Sequence, residues 1–140
     1  MKIKIDNIVP IELKEYLLNQ LGILDVDINY DNYYIEISVK HNEKTNPNII
    51  MKHIELYKNS YIEIVEFDKE YEGNFKKIKH SIDDLCCEYC YKGMITDLFE
   101  NEKVKSVKSN LDINKPSLCA EFLIEYDENC DLEEIINSIK

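Results

Sequence analysis

Residues 2–8 (KIKIDNI) alternate polar and apolar positions, the period of a strand with one buried face. From residue 10 the period lengthens. Ile11, Leu13, Leu17, Leu18 and Leu21 fall on one side of a helix over 10–21, with Pro10 suited to its first turn and Gly22 to its end. Alternation returns at Leu24, Val26, Ile28 and Tyr30, set against Asp25, Asp27 and Asn29. Asp31-Asn32 suits a tight turn, after which Tyr33, Ile35, Ile37 and Val39 predict a third strand. Pro47 opens a second helix whose apolar face carries Ile50, Ile54 and Tyr57. Asn59-Ser60 ends it, and YIEIVEF over 61–67 predicts a fourth strand.

The polar stretch DKEYEGNFKK (68–77) reads as a linker or tight connection, and the pattern then restarts. A strand over 77–83, a helix over 88–99, strands over 104–111 and 118–126 and a helix over 131–140 with Asp131 as N-cap repeat the earlier order. Residues also correspond: Asp6-Asn7-Ile8-Val9 falls on Asp83-Asp84-Leu85-Cys86, and Leu17 and Leu21 fall on Met94 and Leu98. After a four-residue insertion, Ile23-x-x-Val26-x-x-Asn29 falls on Val104-x-x-Val107-x-x-Asn110. Shared element order and core spacing point to a duplication. The expected fold is α+β: tandem ferredoxin-like βαββαβ domains over 1–72 and 76–140, the second lacking its final strand. That missing strand suggests the front of a longer protein.

Composition narrows the function. With 44% apolar residues and only three Gly and three Pro, the chain can build a packed core. A formal net charge of −11 disfavours nucleic acid and anionic membranes as partners and is compatible with cations. No stretch approaches the roughly 18 to 20 apolar residues of a membrane span, and the N-terminus has no signal-peptide core. Five cysteines, an odd number confined to the last 55 positions, do not form a secreted disulfide framework. They fit a reducing cytosol.

The candidate chemistry lies in Asp83-Asp84-Leu85-Cys86-Cys87-Glu88-Tyr89-Cys90, where a strand hands over to a helix. A Cys-x-x-Cys placed there puts Cys90 in the first helical turn, near Cys87. Free N–H groups and the positive end of the helix dipole stabilise the thiolates that bind metal. Thiolates favour soft or borderline ions: Cu(I), Zn(II) or Cd(II). A zinc ribbon would need a second pair at knuckle spacing, and Cys119 and Cys130 have ten residues between them.

In this context the chain resembles the heavy-metal-associated domain family, found in metallochaperones and at the N-termini of heavy-metal P-type ATPases. The family pattern G-M-T-C-x-x-C, a helix and a G-V-x-x-V-x-V-N-like strand meet Leu85 at Met, Cys86 at Thr and Cys87 and Cys90 at the ligands. Met94 and Leu98 follow in the helix, then Val104-x-x-Val107-x-x-Asn110. Asp84 and Lys103 replace glycines, and the final strand is absent. The resemblance implies a domain that binds metal at Cys87 and Cys90 and exchanges it with a donor or acceptor protein domain. The first half carries Pro10 and Leu13 at the ligand positions and should bind none. Two thiolates suit Cu(I), whereas Zn(II) and Cd(II) want about four ligands. Cys86 offers a third sulfur and Asp84 or Asp83 an oxygen; members handling zinc, cadmium or lead often carry such an extra ligand. Zn(II)/Cd(II) is therefore favoured, with Cu(I) as the alternative. Alternation could instead point Cys86 into the core.

The other candidates have bland readings. Cys119 shares a strand face with Glu121 and Glu125 and faces solvent, Cys130 is a loop cysteine, His53 borders a helix face as a structural residue, and His41 and His80 are isolated. No Ser/His/Asp set, phosphate loop or H-E-x-x-H motif suggests an enzyme. A thiol redox protein using Cys87 and Cys90, and a metal-free interaction module, stay open beside the metal-binding reading.

Overall fold

A computed structural model describes residues 1–6, 12–30, 34–58, 64–70, 73–112 and 117–137, with backbone alone for 55–58. These residues form an α+β chain in the order β1 (Lys2–Ile5), α1 (Glu12–Leu18), β2 (Ile23–Tyr30), β3 (Ile35–His41), α2 (Pro47–Lys58), β4 (Ile64–Asp68), β5 (Phe75–Leu85), α3 (Glu88–Glu100), β6 (Val104–Asp112), β7 (Leu118–Asp127) and α4 (Leu132–Asn137). The strands pair antiparallel. No helix among the described residues is long and apolar enough to cross a membrane. The chain divides into two compact units, Met1–Ile64 and Val65–Lys140.

In the first unit β3 lies between β1 and β2, with Ile3 opposite Ile37 and Val26 opposite Val39. These residues are buried with Leu13 and Leu17 of α1 and Ile50, Met51 and Ile54 of α2, as apolar periodicity requires. The helix expected over 10–21 is shorter. Gln20 N–H turns back to Leu17 O at 3.0 Å, and the chain leaves through Gly22 at φ +87°. Leu21 is consequently 98% exposed, outside the apolar face predicted for it. Glycine is needed at this exit on two counts: the positive φ, and a Cβ that would stand 2.0 Å from Thr45 Oγ1. The predicted alternation of β2 breaks at Leu24, where a bulge between Ile23 and Asp25 inserts one extra residue. Leu24 is therefore exposed although Val26 is buried. Pro10, Ile11, the Asp31-Asn32 turn, Tyr33, Asn59-Ser60, residues 61–63 and the Tyr57 side chain lie outside the described residues.

In the second unit the strand order is β4-β6-β7-β5. β7 is the hub: Ile124 opposes both Ile78 of β5 and Val107 of β6. On the opposite edge of β6, Phe67 and Asp68 of β4 pair with Val107 and Ser106. Helix α3 buries Tyr91, Ile95, Leu98 and Phe99, and α4 buries Ile135. Asp131 Oδ1 accepts the Glu133 N–H at 3.2 Å, in keeping with the N-cap expected there. The polar stretch 68–77 is mostly structured rather than a linker: Asp68 ends β4, Phe75 begins β5, and Lys69 is buried. Lys69 Nζ donates to Phe99 O at 2.8 Å and Asn101 O at 3.0 Å, capping the C-terminal end of α3 with positive charge. Phe67 and Phe99 meet edge to face at 5.0 Å beneath it.

Candidate metal centre

The site is built by the passage from β5 into α3. Ladder pairing holds Ile82 opposite Ala120 and resumes at Leu85 opposite Leu118, so Asp83 and Asp84 bulge out of register. Asp84 takes φ 59°, the left-handed region where glycine is at ease and Asp is among the better tolerated side chains. Beyond the bulge Leu85 is buried and Cys86 exposed, so Cys86 is not a core residue. Cys87 is the extended N-cap residue of α3 (φ −170°, ψ 170°), and its side chain makes no capping hydrogen bond. Its carbonyl accepts the Tyr91 N–H at 3.4 Å. Buried Leu85 and Tyr91 therefore bracket the cysteines with two apolar anchors.

The three sulfurs converge. Cys86, Cys87 and Cys90 place their Sγ atoms all within 4.8 Å of one another. Cys87 and Cys90 are 3.8 Å apart. A tetrahedral metal with metal–sulfur bonds of about 2.3 Å needs a sulfur–sulfur edge of about 3.8 Å, so this pair already stands at a chelating separation. The carboxylates of Asp83 and Asp84 do not join the cluster within that mutual distance. What Asp84 visibly supplies is the backbone turn.

Local donors differentiate the thiols. The Cys90 backbone N–H, followed by the Cys90 thiol, pulls the Cys87 thiol below its ordinary range; the Tyr89 N–H and Cys86 thiol add to this and desolvation opposes it. Cys90 is pushed up to about 11, first by its hydrogen bond with Cys86 and then by Cys87. Cys87 therefore forms a thiolate before Cys90, with the neighbouring S–H groups sharing its charge. Such a trio can chelate a soft ion or exchange with a disulfide.

The remaining thiols are apart from it. Cys119 lies half-buried on β7 with Sγ 3.6 Å from Ser117 O, and Cys130 stands 3.4 Å from Glu134 Oε2, its thiol raised chiefly by desolvation. His53 packs edge-on against Tyr16 at 6.4 Å, and His41 is buried. Two features of this region were not read from residue types: the φ of Asp84 and the Lys69 cap at the far end of α3. Nothing in the residue type of Lys69 signalled its role, and Asp is only among the better tolerated residues at a left-handed turn. No family model, no curated protein and no solved structure matches the chain.

Proposed function

We propose that the second unit binds a soft metal ion through Cys86, Cys87 and Cys90, and passes it on or senses it. The convergence of three Sγ atoms on one exposed helix start carries this reading. A left-handed Asp84 where the heavy-metal-associated family has glycine supports the resemblance. On that resemblance the units are a tandem ferredoxin-like pair, the first without ligands. The protein then serves in the cytosol as a metallochaperone or as the N-terminal metal-binding region of a transporting P-type ATPase. Exposed sulfurs suit transfer, because a partner domain's thiolates can displace them one at a time. Zn(II) or Cd(II) is favoured by the third sulfur and Cu(I) is the alternative.

The test is metal and free-thiol content measured together on protein purified under reducing conditions. Cys87→Ser or Cys90→Ser should abolish stoichiometric binding, whereas Cys119→Ser should not. Equal affinity in the wild type and the Cys87/Cys90 double mutant would overturn the reading. A redox function is favoured by one observation, the contrast between a lowered Cys87 and a raised Cys90 at 3.8 Å. It requires a reversible Cys87–Cys90 disulfide with a potential in the oxidoreductase range and no tight metal.

A further inference from the structure

A five-residue segment delivers three sulfurs, and Cys86 and Cys87 are exposed. Donors so close in sequence reach an ion from one side only. Among the described residues no carboxylate or imidazole completes the group from the other side. Zn(II) and Cd(II) in such a cradle need a fourth ligand from elsewhere, and Cu(I) is satisfied with two, which leaves Cys86 redundant. One class of soft centre wants three sulfurs in a pyramid and nothing opposite, because a lone pair fills the remaining direction.

We propose that the cluster takes trivalent arsenic or antimony, as arsenite or antimonite, in a pyramidal trithiolate formed by Cys86, Cys87 and Cys90. This rests on the reading of the cluster as a soft-ion site and puts a trivalent centre in place of the divalent ions named there. The reaction is an exchange without change of oxidation state. As(OH)3 meets three thiols, three S–H bonds and three As–O bonds break, three As–S bonds form, and three waters leave. Neither oxidant nor reductant is required. Free arsenite is an uncharged acid in neutral water, so the chain's net charge of −11 neither attracts nor repels it. The trithiolate is neutral as well, and needs no counter-charge from Asp83 or Asp84.

Cys86 decides the matter, because a two-sulfur site and a three-sulfur site differ by that residue alone, and its exposure allows replacement without a cavity. The full reduced chain is titrated with arsenite, with phenylarsine oxide, which has only two exchangeable positions, and with Zn(II), Cd(II) and Cu(I). Mass spectrometry reads the adduct and alkylation maps the thiols consumed. One arsenic per chain is expected, with Cys86, Cys87 and Cys90 protected and Cys119 and Cys130 still alkylated. Cys86→Ser should weaken arsenite about a hundredfold or more, since a tethered third sulfur acts at high effective concentration. The same change should leave phenylarsine oxide affinity within about twofold. If arsenite consumes two thiols, binds wild type and Cys86→Ser alike, or maps to Cys119 or Cys130, the trithiolate is wrong. Binding of Zn(II), Cd(II) or Cu(I) that protects Cys87 and Cys90 would then leave the broader metal reading intact. If no ion protects any of the three, both fall together.

Discussion

Asp84 at φ 59° is a single backbone angle on which the cysteine loop depends. A carboxylate beside a Cys-x-x-Cys invites the role of ligand, and residue type alone does not distinguish that from a turn former. Asp84→Gly should keep both stability and metal protection of the thiols, while Asp84→Val should cost about 1–2 kcal/mol in urea unfolding, because a β-branched side chain resists the left-handed region. Loss of metal protection in Asp84→Gly would instead restore the carboxylate as a ligand. Lys69 was hidden differently. It stands in a polar run, yet its stem packs inward, and its ammonium lies 5.6 and 5.2 Å from the Phe67 and Phe99 ring centres. Burial, opposed by Glu102, lowers its pKa to about 8. The unfolded chain keeps this proton up to about 10.4, so between those values the unfolded state binds more protons and stability rises with pH. Urea midpoints of wild type relative to Lys69→Met should accordingly climb from pH 8 to pH 10 and level off below pH 7. A flat difference across that range would show that the ammonium is not desolvated.

At the scale of elements, α3 joins a thiol cluster at its first turn to a buried cation at its last. The helix was legible because its apolar period is long and a Cys-x-x-Cys marks its first turn. The edges of other elements were not. Leu21 fits the helical face arithmetically, but hydrogen bonding had already closed the turn at Leu17 and Gly22 redirected the chain. Leu24 fits an alternating strand, but a bulge is a change of register and leaves no mark in polarity. Cys86, likewise, follows a bulge, and alternation could not fix its direction. Placement at the α3 start has a chemical consequence that alkylation can read. Thiolate attacks iodoacetamide, so Cys87 should react before Cys90 as pH rises through 7 to 9, because the Cys90 thiol holds its proton to about 11. Replacing Cys90 by Ala removes the side-chain donor but keeps its N–H, the larger influence on Cys87, so Cys87 should keep most of its lowered pKa. Peptide mapping of partially alkylated apoprotein decides, and equal rates at Cys87 and Cys90 would contradict the assigned order.

At the scale of the molecule, the sequence placed the start of the second folding unit near residue 76, after a polar run that imitates a linker. Long-range contacts place the division between Ile64 and Val65. The difference lies in residues 65–75, which donate four things to the second unit. Phe67 is 2% exposed and packs on Phe99, Phe67 and Asp68 extend the sheet at β6, and Lys69 caps α3. The Val65 carbonyl also accepts the Ser109 hydroxyl at 3.2 Å, and Ser109 in turn contacts the Tyr91 hydroxyl, one of the anchors of the cysteine loop. A fragment of residues 76–140 loses all of these, whereas 65–140 keeps them. Removing a buried Phe alone costs about 3–5 kcal/mol, a large part of the roughly 5–15 kcal/mol that stabilises a small domain. The longer fragment should therefore unfold cooperatively in urea, and the shorter should be displaced to much lower urea or lack a folded baseline. The thiols should follow: metal protection of Cys87 and Cys90 should persist in 65–140 and weaken in 76–140, because Phe99 loses the Phe67 ring and the Ser109 hydroxyl that meets Tyr91 loses its Val65 acceptor. Coincident unfolding curves for the two fragments would return the boundary to residue 76 and reduce β4 to a bystander of the thiol cluster.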